Sequence, residues 1–383
     1  MLVVNIKKKV KNPDSLNDND CHMKTIGIIA MFLILSISLS GCLDFSSSGS
    51  ITYESHPTKI QYTIEYGYLV ESEGSGSYEI TYDCNIPRAL FGSTIYTLLF
   101  TEDYEPINLV NNSFIRWNLA GIDQASYELG LSVAIEAEAL LVTDLEGEKV
   151  LTIGEIQETY SDITQNYLNQ QSNDTLVLID PQDSAIQNIA NEVKTKVETE
   201  NSLLLAKALF IWLKENTSYQ IHPNQEHVQP ASETFLKKTG DCDDLSYLYI
   251  SLCRAIGIPA RFIRGYLLQE ENGEVTAAAH AWSEVFVGGT IGNGGWVPVE
   301  CSCCTTSIDA NIHQNFGVES AYHLRLFIDD GSDESLNISQ SGISYVYGIE
   351  QKITTQSFTT VKNYQEIESH KLVVTKENTR VYE

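Results

Sequence analysis

The feature that most constrains this chain is a change in the period of its apolar residues. Ile60, Tyr62, Ile64 and Tyr66 alternate with other residues, and Tyr78, Ile80 and Tyr82 do so after the turn Gly74-Ser75-Gly76-Ser77. A longer run follows, with Tyr127, Leu129, Leu131, Val133, Ile135, Ala137 and Ala139 on one side. Alternation with period two buries one face of a strand, so residues 51–165 read as an antiparallel, all-β, sandwich-like domain. After Asp180-Pro181 the spacing becomes helical: Ile186, Ile189, Ala190, Val193 and Val197 share one side. A second helix carries Leu205, Leu209, Trp212 and Leu213, with Asn201 or Ser202 as its cap. The polar run at 160–178 marks the boundary. The expected class is α+β, with a domain of helices packed on an antiparallel sheet at 176–335. A β-like extension follows at 336–383.

Charge limits the partners. The 383 residues include 51 Asp and Glu against 24 Lys and Arg, a net charge of −27, which repels phosphate backbones and argues against nucleic acid. Ile26 to Leu39 is an apolar run too short to span a bilayer, with Lys24 before it, and reads as the core of a signal segment at 23–42. Met23-Lys24 makes the more ordinary signal start, so residues 1–22 read as an upstream extension. Leu39-Ser40-Gly41-Cys42 resembles the lipobox of prokaryotic lipoproteins. That resemblance implies Cys42 as a lipidated membrane anchor, an extracytoplasmic location, and a Ser-rich tether at 43–50.

The chemistry begins at Thr239-Gly240-Asp241-Cys242-Asp243-Asp244. Leu245, Leu248, Tyr249, Leu252, Cys253 and Ile256 then form a helical stripe stopped by Gly257 and Pro259, which places Cys242 at a helix N-terminus. Unsatisfied amides and the dipole there favour a thiolate, although Asp243 and Asp244 oppose it. Gly240 allows a sharp bend and leaves room for a substrate backbone. Ile258 to Leu268 reads as a buried strand, and a turn at Gly273 leads to His280-Ala281-Trp282-Ser283-Glu284-Val285-Phe286-Val287. The glycine-rich loop 288–295 returns the chain to Trp296-Val297-Pro298-Val299-Glu300, so Glu300 lies near His280. Thiol, imidazole and carboxylate then make a nucleophile, base and orienter. Trp282, Trp296 and Gly240 are candidate walls of an acyl pocket.

Gly240-Asp241-Cys242-Asp243-Asp244, the run Leu252 to Arg261, Gly265-Tyr266, His280 to Val285 and Gly295 to Val299 together resemble the core of the transglutaminase-like superfamily. The resemblance spans about residues 180–310. It implies a papain-like thiol fold with Cys242 as nucleophile and His280 as base. It also implies a protein or peptide substrate, attacked at a peptide or glutamine-type amide bond. Prokaryotic members often carry a β-sandwich before this domain. The usual Asp is replaced here by Glu300, with Glu284 and Asp309 as alternative orienters. Hydrolysis is the favoured outcome over transfer to an amine. The rival is a non-catalytic surface module that keeps the fold for binding or assembly.

Cys301-Ser302-Cys303-Cys304, with His313 downstream, could suggest a metal or redox module. A structural zinc site needs four ligands and no second cysteine pair stands nearby, so neither metal nor cofactor is expected.

Overall fold

The structure is a computed structural model and describes residues 7–10, 44–45, 49–173, 176–221, 228–303, 305, 307–340 and 342–383. Cys42, the signal segment and Cys304 lie outside the described residues.

The alternating segments form strands. β1 (Ile51–Gly74), β2 (Tyr78–Asn85), β3 (Gly92–Leu98), β4 (Tyr104–Asn108), β5 (Ser113–Gly121) and β6 (Ala125–Glu138) make up most of a two-sheet stack. Three further strands come from the far end of the chain: β13 (Ile343–Tyr347), β14 (Gln351–Val374) and β15 (Arg380–Tyr382). One sheet runs β15-β14-β1-β6-β3, and the other contains β13-β2-β5-β4. Ile60, Tyr62, Ile64, Tyr66, Ile80, Trp117, Leu129, Leu131, Val133 and Ile135 fill the space between them. Burying these side chains is what holds the two sheets face to face. The tail is therefore part of the sandwich in space: β14 runs antiparallel to β1 from Gln351 opposite Gly74 to Val374 opposite Ile51.

Between the last strand of the sandwich and the boundary the structure departs from the expected β pattern. After β7 (Leu140–Leu141), two short helices, α1 (Ile153–Thr159) and α2 (Ser161–Tyr167), occupy the chain. Thr152 and Glu155 close a reciprocal capping box at the start of α1, a signal that outweighs the local alternation.

The second domain is built around one helix. α3 (Ser184–Val197), α4 (Ser202–Asn216) and α5 (Ala231–Lys237) surround α6 (Cys242–Ala255), which lies on the sheet β10-β9-β8-β12. These strands are β8 (Ala260–Glu271), β9 (Glu274–Phe286), β10 (Trp296–Val299) and β12 (His323–Ile328). β8 and β9 are joined by a tight turn in which Asn272 and Gly273 both take positive φ, at 53° and 82°. Where the sequence suggests a single buried stripe, every residue of α6 from Asp243 to Arg254 is buried. A helix enclosed on all sides must satisfy its polar groups internally. Ser251 Oγ donates to Tyr247 O and accepts from Asp180 N, and Arg254 donates to Ala260 O and pairs with Asp329.

The domains are joined by side chains as well as by packing. Arg380, at the start of β15, is fully buried and donates to the carbonyls of Val142, His313, Phe316 and Gly317. His313 lies in α7 (Ile308–Asn315), Phe316 is the C-cap of that helix, and Gly317 precedes β11 (Val318–Glu319). Replacing Arg380 with Met leaves several buried carbonyls without donors, and we expect a loss of about 3 kcal/mol, since each such group is worth roughly 1–3. Urea unfolding of Arg380→Met measures this; an unchanged midpoint would remove the arginine as a tie between the domains.

Candidate active site

Cys242 occupies the first turn of α6, as the stripe predicts. Asp241 caps the helix: its side chain accepts from the amides of Asp243 and Asp244, while Asp244 reaches back to Asp241 N, 3.1 Å away. The second oxygen of Asp244 accepts from Gln229 N at 2.9 Å. Burial and the neighbouring Asp241 raise the Asp244 carboxyl to about 7. Gly240 is required by this cap, because a Cβ there would stand 2.6 Å from Asp244 Cβ.

The electrostatics of the thiol run against the helix dipole. Burial, followed by the carboxylates of Asp243 and Asp241, pushes Cys242 well above the ordinary thiol value; the Ala281 amide opposes this as a hydrogen-bond donor. Cys242 is therefore protonated at neutral pH, and its sulfur meets the backbone of the residue next to His280. The dipole contributes at most about 2 kcal/mol at a helix end, which desolvation and two like charges exceed.

His280 and Glu300 are brought together. The ladder pairs Phe286 with Trp296 and Ser283 with Val299, and Glu300 follows Val299. Continuing that register puts Glu300 level with Trp282, and its side chain reaches diagonally so that His280 Nε2 donates to Oε2 at 2.6 Å. Nδ1 is thereby left as the acceptor nitrogen. The other carboxylate oxygen accepts from Ser302 N at 2.9 Å and Ser302 Oγ at 2.7 Å. Lys214 on α4 donates to Cys301 O and Cys303 O, both at 2.6 Å, fixing the loop that supplies these donors.

The charges of this pair stabilise one another. Burial acts to lower the His280 pKa, but the Glu300 carboxylate and its hydrogen bond outweigh it and leave it raised. Burial disfavours the Glu300 anion, yet His280 first and His323 second hold it well below the usual carboxylate range.

Residues that the sequence does not single out complete the surroundings. His323, at the start of β12, places Nε2 3.3 Å from the same Glu300 oxygen, and its Nδ1 lies 2.9 Å from Ser320 Oγ. Its one sequence signal is a polar residue opening an apolar strand, which is too common to notice. Tyr219 pairs with Gly240 in a short parallel bridge, and its phenol is raised by burial and by the charges of Cys242, Asp241, Glu300 and Asp243.

Trp282 stacks on His280 with centroids 5.9 Å apart and meets His323 edge-on at 4.8 Å. Its indole donates to Glu319 at 3.1 Å. Trp296 sits elsewhere: it pairs with Phe286 at the other end of the ladder and lies under the Arg261 guanidinium, 3.9 Å from its ring centroid. Glu284 does not orient His280. It is held by Arg261 and Arg325, which bring its carboxyl down to about 2 despite its burial, and Arg325 also pairs with Glu319. Asp309 is exposed in the first turn of α7. Cys301 is a buried thiol 3.6 Å from Ser283 Oγ, and His313 bonds Tyr53 at 2.7 Å, so these two do not share a site.

The pair has a defined pH signature. A raised His280 pKa adds stability that is complete below the unfolded value of about 6.5 and is lost as pH rises through the folded one. A depressed Glu300 pKa adds stability above about 4.3 that is lost as pH falls. The stability difference between wild type and Glu300→Gln is therefore expected to peak between about pH 4.5 and 6.5. In Glu300→Gln the His280 ring, titrated by NMR, should fall to or below its ordinary value; a ring still raised in that variant would place its partner elsewhere.

Comparison with known proteins gives the following. Residues 187–301 match the profile of the transglutaminase-like superfamily. A candidate cysteine protease from Cytophaga hutchinsonii is similar in structure at 16% identity and a TM-score of 0.48, covering 83% of this chain and 93% of that one. The periplasmic domain of TgpA from Pseudomonas aeruginosa is similar at 14% identity and a TM-score of 0.31, over 61% of this chain and 86% of that one. Red sea bream transglutaminase is similar at 10% identity and a TM-score of 0.29, over 87% and 74%. No functionally curated protein sequence matches the chain.

Proposed function

We propose that the transglutaminase-like domain at residues 187–301 is a thiol acyl-transfer enzyme acting on peptide or glutamine-type amides, with hydrolysis as its outcome. The observation that carries this reading is the His280 Nε2–Glu300 bond of 2.6 Å, which fixes the tautomer and leaves Nδ1 a base. Because the Cys242 thiol rests protonated, His280 takes its proton as the sulfur attacks, rather than from a preformed ion pair. The S–C bond forms, and the carbonyl oxygen becomes an oxyanion. The Asp241 cap engages Asp243 and Asp244, so the Cys242 amide is the donor that faces it. The C–N bond then breaks, and His280 returns the proton to the leaving amine. Water attacks the thioester with His280 again as base, the C–S bond breaks, and His280 returns the proton to the sulfur as the carboxylic acid leaves.

A non-catalytic binding role has one observation in its favour, the elevated thiol, since a binding module has no use for an activated sulfur. Acid-quenched mass spectrometry after incubation with a peptide mixture separates the readings. We expect a thioester adduct on the Cys242 peptide of wild type and none in Cys242→Ala. His280→Ala should slow its formation by about 10²–10⁴-fold, the usual contribution of a positioned base. No adduct and no cleavage in wild type would leave the binding role, and isopeptide-linked products would make the outcome amine transfer.

The location proposed is extracytoplasmic and membrane-anchored through Cys42, on the strength of the apolar run 26–39 and the Leu39-Ser40-Gly41-Cys42 sequence. Labelled fatty acid should enter the wild-type protein and be absent from Cys42→Ala; equal labelling of both would reject this anchor.

A further inference from the structure

We propose that His280, Glu300 and His323 form a binding site for one divalent transition-metal ion of the zinc class, which when filled switches the thiol chemistry off. The regulatory half rests on the reading of His280 as the base; the binding half does not.

A catalytic triad needs one imidazole on its acid, and here there are two. The Nε2 atoms of His280 and His323 converge on Glu300 Oε2 at 2.6 and 3.3 Å, and the three potential ligand atoms all lie within 4.8 Å of one another. Zinc holds nitrogen and oxygen ligands at about 2.0–2.2 Å, so the edges of a tetrahedral site are about 3.3 Å. One span already has that length, and the shorter must open by about 0.7 Å to admit the ion. Two imidazoles and one carboxylate suit zinc, cobalt, nickel or iron(II) rather than calcium or magnesium, which favour oxygen.

The outer shell is that of a ligand set held in place. Ser320 Oγ stands 2.9 Å from His323 Nδ1, where it can accept the ring proton and turn the Nε2 lone pair toward the ion. Ser302 and the Cys303 amide hold the far oxygen of Glu300, and Trp282 packs against both imidazoles. The three side chains keep 8–10% of their surface accessible, so the set is not sealed from solvent.

The switch follows from the protons. In the metal-free site His280 carries its proton on Nε2 and its lone pair on Nδ1. A metal on Nε2 requires the proton on Nδ1, so the number of protons on the ring is unchanged and the base toward Cys242 is gone.

The test uses the full chain, washed with chelator and titrated with zinc by calorimetry and with cobalt by absorption. We expect one ion per chain, binding kept in Cys242→Ala, and affinity lowered at least about tenfold in His323→Gln, since even outer-shell losses cost 10–100-fold. Circular dichroism checks that His323→Gln is folded, and the wild-type cobalt spectrum gives a second reading that needs no variant: d–d bands without a thiolate charge-transfer band. A thiolate band, or binding lost in Cys242→Ala and kept in His323→Gln, places the metal on the sulfur and overturns the site, as does no binding. Undiminished acyl-adduct formation by the zinc-loaded protein overturns the switch. If metal-free protein never forms the adduct, it is the enzymatic reading that fails, and the titrations still decide the site.

Discussion

Glu300 is a carboxylate almost removed from water, and such a group is stable as an anion only when its oxygens find donors. One oxygen faces two amides and a hydroxyl from its own following residues, and the other faces two imidazoles. Each of these donors has to be placed by something else. The loop donors are fixed by Lys214 from α4, His280 by β9, and His323 by β12. Helices, sheet and loop therefore meet at this anion. The extra methylene that distinguishes Glu from Asp is taken up in the reach from the end of β10 diagonally to His280.

A second buried charge network supports the first without touching Glu300 or His280. Arg261, Glu284, Arg325 and Glu319 form a chain of ion pairs that ends on the Trp282 indole, and Trp282 is the surface against which both imidazoles lie. Buried ion pairs of this kind give little net stability over apolar packing. Their effect here is geometric: they hold the ring that sets the orientation of two histidines. This explains why Glu284 shares a strand face with His280 and yet cannot serve it, since both its oxygens are held by arginines.

How much of this could be read from the sequence divides along physical lines. Period two in Ile60 to Tyr66 and Leu129 to Ala137 gave the sandwich because one buried face leaves a local imprint on composition. The cysteine-headed helix, the hairpin through Gly273 and the closeness of His280 to Glu300 follow from short-range spacing and turn chemistry, and they are legible for the same reason. The return of β14 to β1 leaves no imprint: most of β14 is exposed, and its partner is nearly 300 residues away, so nothing local records the pairing. His323 and Tyr219 are invisible for the same reason, because their roles exist only through partners distant in sequence. Trp296 misleads in the opposite way. An aromatic next to the strand of His280 looks like a pocket wall until the register sends it to the far end.

The register of β12 also gives the sandwich a connection to the site. Leu268 on β8, Ala321 and Leu324 are buried in the core cluster of the N-terminal sheets, not in that of the helical domain. His323 lies between Ala321 and Leu324 in sequence, so its backbone is clamped by side chains that belong to the other domain's core. Tyr66 of β1 packs edge-on against Tyr266 of β8, with centroids 5.6 Å apart, on the same seam. A shift of the sandwich against the sheet would move β12, and with it the second imidazole, relative to Glu300. Val275 and Ala277, on the strand that carries His280, pack against the same cluster. The β domain thus bears on Glu300 through the strands of both histidines, β9 and β12.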